Sequence, residues 1–198
     1  ALRFGFLSRI AAALGTEASP CPGWRAEIVH ANDWPCALAP LYLAQGRELS
    51  EREPAAASVL TIHNIAFQGV FPMDHADLLG LPGHLRGIDG VEFWGQLSML
   101  KAGIQFADAL TTVSPTYARE IQTEAFGAGL EGVLRARSQR LTGILNGIDT
   151  RLWNPQTDPL IPHRYGPQEL AGKAQNKAEL QRRCGLTVDR TAMLFGVV

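Results

Sequence analysis

Four short apolar segments alternate along the chain with longer segments of helical periodicity, and this alternation constrains the fold more than any other feature. The apolar segments are rich in β-branched residues: AEIVH (26–30), SVLTIH (58–63), DALTTVS (108–114) and LTGILN (141–146). Strands that alternate with helices form a parallel sheet covered by those helices. Strands buried on both faces are continuously apolar, as these are. The sequence therefore predicts an α/β fold, a parallel sheet with helices on both faces.

The helical segments between these strands are CALAPLYLAQG (36–46), GQLSMLKAGIQFA (95–107) and SPTYAREIQTEAF (114–126). The last begins with Ser114 and Pro115, a favourable N-cap and first-turn pair. After Asn146 the chain is dense in Pro, Gly, Asp and Asn, which predicts a loop. A charged helix is expected next, ending before Gly185, and the apolar run 192–198 predicts another strand.

Polar residues follow all four predicted strands at the point where each strand ends. The exits are 30–34 (HANDW), 63–64 (HN), 114–116 (SPT) and 146–149 (NGID). Open parallel sheets bind ligands beyond the carboxyl ends of their strands. Each of these residues alone is also typical of a helix cap or a turn. Their coincidence on one edge favours a site whose imidazole, carboxylate, amide and hydroxyl groups bind a polyol.

Trp94 and Gln96 flank a glycine turn ahead of a helix that contains Lys101. An aromatic ring can cover the C–H face of a sugar while an amide binds its hydroxyls. The alternative is that Trp94 fills the core and Lys101 is a solvated helix residue. Both interpretations remain open at the level of the sequence.

Dinucleotide and metal sites have weaker support. GAGLEG (127–132) matches the dinucleotide pattern GxGxxG, but it follows a helical segment, whereas the dinucleotide fingerprint follows a strand. It is more typical of a tight loop before the helix LEGVLRAR (130–137). His75 and His84 lack the spacing of a helical zinc pair, so we expect surface histidines and no metal.

Charge and cysteine content exclude further classes of partner. The chain has 18 Lys and Arg against 19 Asp and Glu, a net charge of −1, so we expect neither nucleic acid nor an anionic membrane as a partner. No segment approaches the roughly 20 apolar residues of a membrane helix. The three cysteines are widely spaced and odd in number, which favours a reducing, cytoplasmic setting.

Six segments together resemble, in order and spacing, the bacterial glycogen synthases and plant starch synthases that use ADP-glucose. They are VHANDW (29–34), TIHNIAFQGVFP (61–72), residues 92–123, GAGLEGVLRAR (127–137), residues 141–158 and NKAELQRRCGL (176–186). The resemblance implies a GT-B fold of two Rossmann-like domains facing across a cleft. Residues 1–150 would then belong to the N-terminal domain, 151–190 to an interdomain linker and helix, and 191–198 to the first strand of the C-terminal domain.

The resemblance also implies the reaction: transfer of glucose from ADP-glucose to the non-reducing end of an α-1,4-glucan, with retention of configuration and without a metal or other cofactor. ADP-glucose and the glucan would be the partners. A bacterial protein of this kind would be cytoplasmic and a plant one plastidic. The alternative is a non-catalytic glucan-binding or scaffolding relative of the same fold.

Carried over residue by residue, the resemblance assigns roles. His63 matches a histidine whose carbonyl and ring contact the donor glucose, Asp33 an acceptor-side aspartate, and Asn146 an asparagine near the donor glucose and ribose. The acceptor path would be lined by Asn64, Phe67 and Gln68, and Trp94 and Gln96 complete the candidate site. Fixed dipoles around the anomeric carbon are useful because positive charge develops there in the transition state.

The sequence departs from the family pattern at Pro35, where the family usually has a histidine. Proline is tolerated in the first turn of a helix, so we expect the fold to persist while any ligand contact of that histidine is lost. The family's lysine-glycine-glycine loop has no counterpart in these 198 residues. The same holds for the arginine, lysine and glutamate that bind the donor from the C-terminal domain. We therefore expect the chain alone to be inactive.

Overall fold

The structure is a computed structural model that describes residues 1–49 and 55–197. Its helices are α1 Leu2–Ala13, α2 Asp33–Cys36, α3 Leu38–Leu49, α4 His75–Leu78, α5 Met99–Phe106, α6 Pro115–Glu120, α7 Glu131–Ala136 and α8 Ala171–Arg183. Its strands are β1 Ile28–Asn32, β2 Ala57–Ile62, β3 Val70–Pro72, β4 Glu92–Phe93, β5 Gln96–Ser98, β6 Ala109–Thr112 and β7 Leu141–Gly143.

The main sheet has the order β1-β2-β6-β7, and all of its strands are parallel. These are the four strands that the sequence predicts, so the α/β class with a parallel sheet is confirmed. The boundary of the first strand differs from the prediction. Since β1 runs on to Asn32, His30 lies inside the strand and the exit begins at Asp33.

Helices cover one face of this sheet. Leu60, Ile62 and Leu110 are buried there in one cluster with residues of α5 and α7 such as Ile104 and Leu134. Burying each such side chain stabilises the fold by about 1.5–3 kcal/mol.

The opposite face of the main sheet carries exposed or half-buried side chains within the described residues. Three of them form a row across neighbouring strands, in which His30 Nε2 lies 2.6 Å from Thr61 Oγ1, and Thr61 Oγ1 lies 2.6 Å from Thr111 Oγ1. The prediction of helices on both faces is thus met on one face only in the described part of the chain.

A second, antiparallel sheet of order β3-β5-β4 was not predicted. Its strands have two or three residues, too few for a periodic pattern. Residues 96–98, which have helical periodicity, instead pair with Val70–Pro72. The helix begins only at Met99, where the Ser98 hydroxyl accepts a hydrogen bond from the Lys101 backbone N–H at 3.1 Å. Tertiary pairing outweighs local propensity here.

Asp108 ties the amino-terminal edge of the main sheet together. Its carboxylate accepts two hydrogen bonds from the Arg47 guanidinium, at 2.6 and 2.8 Å, and two from the backbone and hydroxyl of Ser58, at 2.7 and 2.8 Å. Burial alone would raise the pKa of Asp108, but these hydrogen bonds and the Arg47 charge lower its pKa to about 2. This network lies at the edge opposite the strand exits.

The chain divides into two compact units, residues 1–146 and 147–198. The second unit contains α8, which ends at Arg183, before Gly185 as predicted, and Gly185 has a φ of +67°. The Leu186 N–H donates to the Gln181 carbonyl at 2.8 Å, and the Gly185 N–H to Arg182 at 3.0 Å. These two bonds form a Schellman motif.

The predicted strand at 192–198 is wrong over its described part, residues 192–197, which form no strand. A strand needs a neighbouring strand to pair with, and none of the described residues forms a strand ladder with this segment. The domain assignment built on that strand stays a prediction. The three cysteines, Cys21, Cys36 and Cys184, are free. Of the helices in the described ranges, none is both long and apolar enough to cross a membrane.

Candidate active site at the carboxyl edge of the sheet

Asp33 lies directly after β1 and joins it to β2. Its backbone is left-handed, with a φ of +52°, a conformation that Asp and Asn adopt more readily than other residues with a side chain. This turn starts α2 and lets Asp33 Oδ1 accept a hydrogen bond of 2.7 Å from the His63 backbone N–H. One carboxylate therefore connects two neighbouring strand exits.

The His63 ring is exposed at this edge, and its Nε2 lies 3.1 Å from Asn32 Oδ1. An amide oxygen can only accept a hydrogen bond, so Nε2 carries the proton in this pair. In this tautomer of the neutral imidazole, the lone pair of His63 Nδ1 is an acceptor for a ligand hydroxyl.

The loop after His63 is held by three polar contacts. Asn64 Oδ1 accepts a hydrogen bond from the Ala66 N–H at 3.0 Å, and the Ile65 N–H donates to the Tyr117 hydroxyl at 3.0 Å. The Phe67 N–H lies 3.3 Å from the Asn64 carbonyl. These contacts leave the Phe67 side chain 63% exposed, where it can meet a ligand.

Gln68 and Gly69 fix the far end of this loop. Gln68 is buried, and its side-chain Nε2 donates to the Ala128 carbonyl at 2.8 Å. The backbone carbonyl of Gln68 accepts a hydrogen bond from the Leu100 N–H at 3.0 Å. Gly69 has a φ of +60°, and a Cβ at that position would lie 2.3 Å from the Trp34 ring. The amide of Gln68 thus holds the loop in place, and a direct contact with the acceptor stays a prediction.

Trp94 occupies the tip of the β4–β5 hairpin. Trp94 and Gly95 have φ values of +52° and +77°, which is the pattern of a type I′ turn. Trp94 is 81% exposed, so the alternative that it fills the core is wrong. Gln96 is also exposed and pairs with Phe93 across the hairpin. The alternative of a solvated Lys101 is wrong too, since this residue is 3% exposed.

The third and fourth strand exits differ in role. Ser114 accepts a hydrogen bond from the Tyr117 N–H at 2.9 Å and caps α6, so its function is structural. Asn146 is exposed beyond β7, two strand positions from β2, or about 10 Å at the usual spacing. The structure thus brings Asp33 and His63 into direct contact and leaves Asn146 further along the edge.

Two residues that shape the site were not singled out by sequence. Asn32 sets the His63 tautomer, and its place in the HANDW exit was the available indication. Tyr117 supports the loop through its hydroxyl, and no pattern marks it out from an ordinary helix residue.

The weaker candidates from the sequence have structural explanations. Residues 127–132 follow a series of turns and are not preceded by a strand, as the interpretation of a tight loop predicts. His75, expected at the surface, is half-buried with its ring 5.9 Å from that of Phe71. Within residues 1–49 and 55–197, no group of three or more His, Cys, Asp or Glu side chains is placed to hold a metal ion.

Comparisons with known proteins all match members of one enzyme family. Residues 1–136 match the family model described as the starch synthase catalytic domain. A glycogen synthase of Paracidovorax citrulli is 62% identical over 200 residues, and one of Aromatoleum aromaticum is 54% identical over 198; each match covers 100% of this chain and 39% of the relative. The chain therefore spans about two fifths of the length of these curated relatives.

One solved structure is also similar, the catalytic domain of starch synthase IV from Arabidopsis thaliana bound to ADP and acarbose. It is 33% identical to this chain, with a TM-score of 0.70. The match covers 93% of this chain and 37% of that one.

Proposed function

Since the chain belongs to the family of starch synthase catalytic domains, we propose that the protein carrying it is a retaining glucosyltransferase of the GT-B type. Its proposed reaction moves glucose from ADP-glucose to the 4-hydroxyl at the non-reducing end of an α-1,4-glucan. In this proposal the first compact unit, residues 1–146, forms part of the N-terminal wall of the catalytic cleft. No cofactor besides the donor substrate is proposed.

The observation that carries this proposal is the family match over residues 1–136. The geometry of the sheet edge supports it. In the proposed reaction the bond from the glucose C1 to the diphosphate breaks, and the bond from C1 to the acceptor O4 forms on the same face. The diphosphate leaves with the electron pair and takes up the acceptor proton.

His63 and Asp33 have distinct roles in this proposal. Positive charge develops at C1, and oriented dipoles stabilise it without having to reorganise. His63 lies at the edge with Nδ1 free to accept a donor hydroxyl. Asp33 is a positioning residue, because it acts on the site through the His63 backbone N–H. Asn146, further along the edge, is proposed to contact the donor, and Asn64 and Phe67 the acceptor.

The test is a His63→Ala variant of the full-length protein. We expect glucose transfer from ADP-glucose to glycogen to fall by about 100-fold or more, as for the loss of one oriented group at a developing charge. Folding should change little, because the ring is exposed and its contact with the described residues is one hydrogen bond, to Asn32. His84→Ala, at another exposed histidine, is the control. Near-normal turnover in His63→Ala would remove His63 from the transfer site.

A second candidate function is a non-catalytic glucan-binding relative of the same fold. The observation in its favour is Pro35, which replaces the usual family histidine and lies inside the single turn of α2. The wild-type full-length protein distinguishes the two. Release of ADP from ADP-glucose in the presence of glycogen supports the transferase, whereas glycogen binding without release of ADP supports the binding protein.

A further inference from the structure

A pocket of about 270 Å³ lies between the β4–β5 hairpin and α7. Its lining includes the Phe93 and Trp94 rings, Lys101, Gly129 and Glu131, but neither Asp33 nor His63. Glu92, Phe93 and Trp94 of this lining belong to the hairpin, which the sequence did not predict. It is thus a site in its own right, next to the loop that carries the candidate active residues.

The stability of the fold does not explain why position 94 holds a tryptophan. A left-handed backbone costs an ordinary residue about 1–2 kcal/mol relative to the right-handed form, and type I′ turns prefer Asn or Gly at this position. The side chain is 81% exposed, so burial does not offset that cost. A large aromatic side chain held open at a strained position is typical of a binding function.

Lys101 places a hydrogen-bond donor in the lining of the pocket. Its Nζ donates to the carbonyls of Ile88 at 2.6 Å and Glu92 at 2.5 Å. An ammonium group has three protons, so one remains. Burial lowers the pKa of Lys101, while the nearby charges of Glu92 and Asp89 oppose this.

Glu131 supplies an acceptor. Its carboxylate lines the pocket, and its Oε2 is shielded from solvent and receives no hydrogen bond from the described residues. The backbone at Gly129, with a φ of +84°, lies under the two rings: a Cβ there would be 3.1 Å from Phe93 and 3.4 Å from the Trp94 Nε1. The pocket thus combines aromatic surface, a carboxylate with one unpartnered oxygen and a spare ammonium proton.

We propose that this pocket binds a glucosyl unit of the α-1,4-glucan at a distance from the transfer site. The apolar face of the pyranose lies against Trp94, its hydroxyls donate to Glu131, and Lys101 donates to a ring or hydroxyl oxygen. This inference rests on the proposed function for the identity of the glucan. Its role is to hold the chain whose end is being extended, which raises the effective concentration of acceptor ends at the cleft.

The experiment measures the affinity of the full-length protein for maltoheptaose by isothermal titration calorimetry, with no donor present. Trp94→Asn should raise the Kd about tenfold, while Trp94→Tyr, which keeps an aromatic ring, should raise it about twofold. Asn suits the type I′ turn better than Trp, so loss of folding does not explain a loss of affinity. Trp24→Asn removes another exposed tryptophan, 56% exposed in the loop before β1, and should leave the Kd unchanged.

Glu131→Gln provides a second variant, which keeps the size of the side chain and should raise the Kd severalfold. An unchanged Kd in both Trp94→Asn and Glu131→Gln would overturn the proposal. A higher KM for ADP-glucose without a change in maltoheptaose affinity would assign the pocket to the nucleotide and also overturn it. Because the titration contains no donor, loss of affinity in a protein that fails to transfer glucose would support this pocket while contradicting the transferase.

Discussion

Replacing Asp33 by Asn, Gly and Ala separates the two things that this residue does. Its carboxylate holds the backbone of His63 through a 2.7 Å hydrogen bond, and its backbone adopts a φ of +52°. Asn keeps an acceptor and tolerates the left-handed backbone. Gly loses the acceptor but adopts this backbone without strain, and Ala loses both advantages.

The magnitudes follow from these two contributions. A hydrogen bond to a charged group contributes about 1.5–3 kcal/mol, and the half-buried position of Asp33 favours the lower end. The left-handed backbone costs an ordinary residue about 1–2 kcal/mol. We therefore expect Asp33→Ala to lower the free energy of unfolding by roughly 2–3 kcal/mol. The Gly and Asn variants should each lower it by roughly 1 kcal/mol.

The assay is urea unfolding of the full-length protein, followed by glucose transfer from ADP-glucose in each folded variant. Transfer should fall more in the Gly variant than in the Asn variant, because only Asn still accepts from the His63 N–H. Equal stability of the Gly and Ala variants would show that the backbone conformation carries no cost. Equal transfer by the Asn and Gly variants would show that the contact to His63 does not position the site.

Two predictions concern stability away from the site. The folded-state pKa of Asp108, about 2, is below its ordinary value of 3.8, so its stabilisation is present above pH 4 and lost as the pH falls through 2. We expect Asp108→Asn to cost about 1 kcal/mol at pH 7 in urea unfolding. This is roughly half of the ~2 kcal/mol that the pKa shift implies, since its side chain is 38% exposed. The loss of stability in Asp108→Asn should shrink towards pH 2, and a loss independent of pH would contradict the role given to the Asp108 carboxylate. The control is Asp77→Asn, at a 74% exposed partner of Arg86, which should cost almost nothing. Gly103→Ala should lower the thermal midpoint although Ala favours helices by about 1 kcal/mol, because its Cβ would lie 2.8 Å from the Ala37 carbonyl oxygen. Gly132→Ala, with no atom within 4 Å, should raise the midpoint, and the same direction in both variants would refute the packing argument.

The parallel sheet was predictable because its strands are continuous apolar runs, whose pattern is local. The antiparallel sheet was not, because Gln96–Ser98 has no strand pattern and pairs only when Val70–Pro72 lies beside it. The segment 192–197 shows the converse, a strand-like run that has no partner in the described residues and forms no strand. Pattern predicts the capacity to form a strand, and hydrogen-bonded neighbours decide whether one forms.

The sequence by itself determined the class of fold, the polar strand exits and, through six segments in order, the family. Side-chain type and spacing are sufficient for these because they depend on the local chain. Only the tertiary structure decided that Asp33 bonds to the His63 backbone, that Gln68 supports the loop, and that Trp94 is exposed beside an unpartnered Glu131. Each of these brings together residues at least 30 positions apart, by a hydrogen bond in the first two cases and by a shared pocket in the third. Such proximity exists only once the chain has folded.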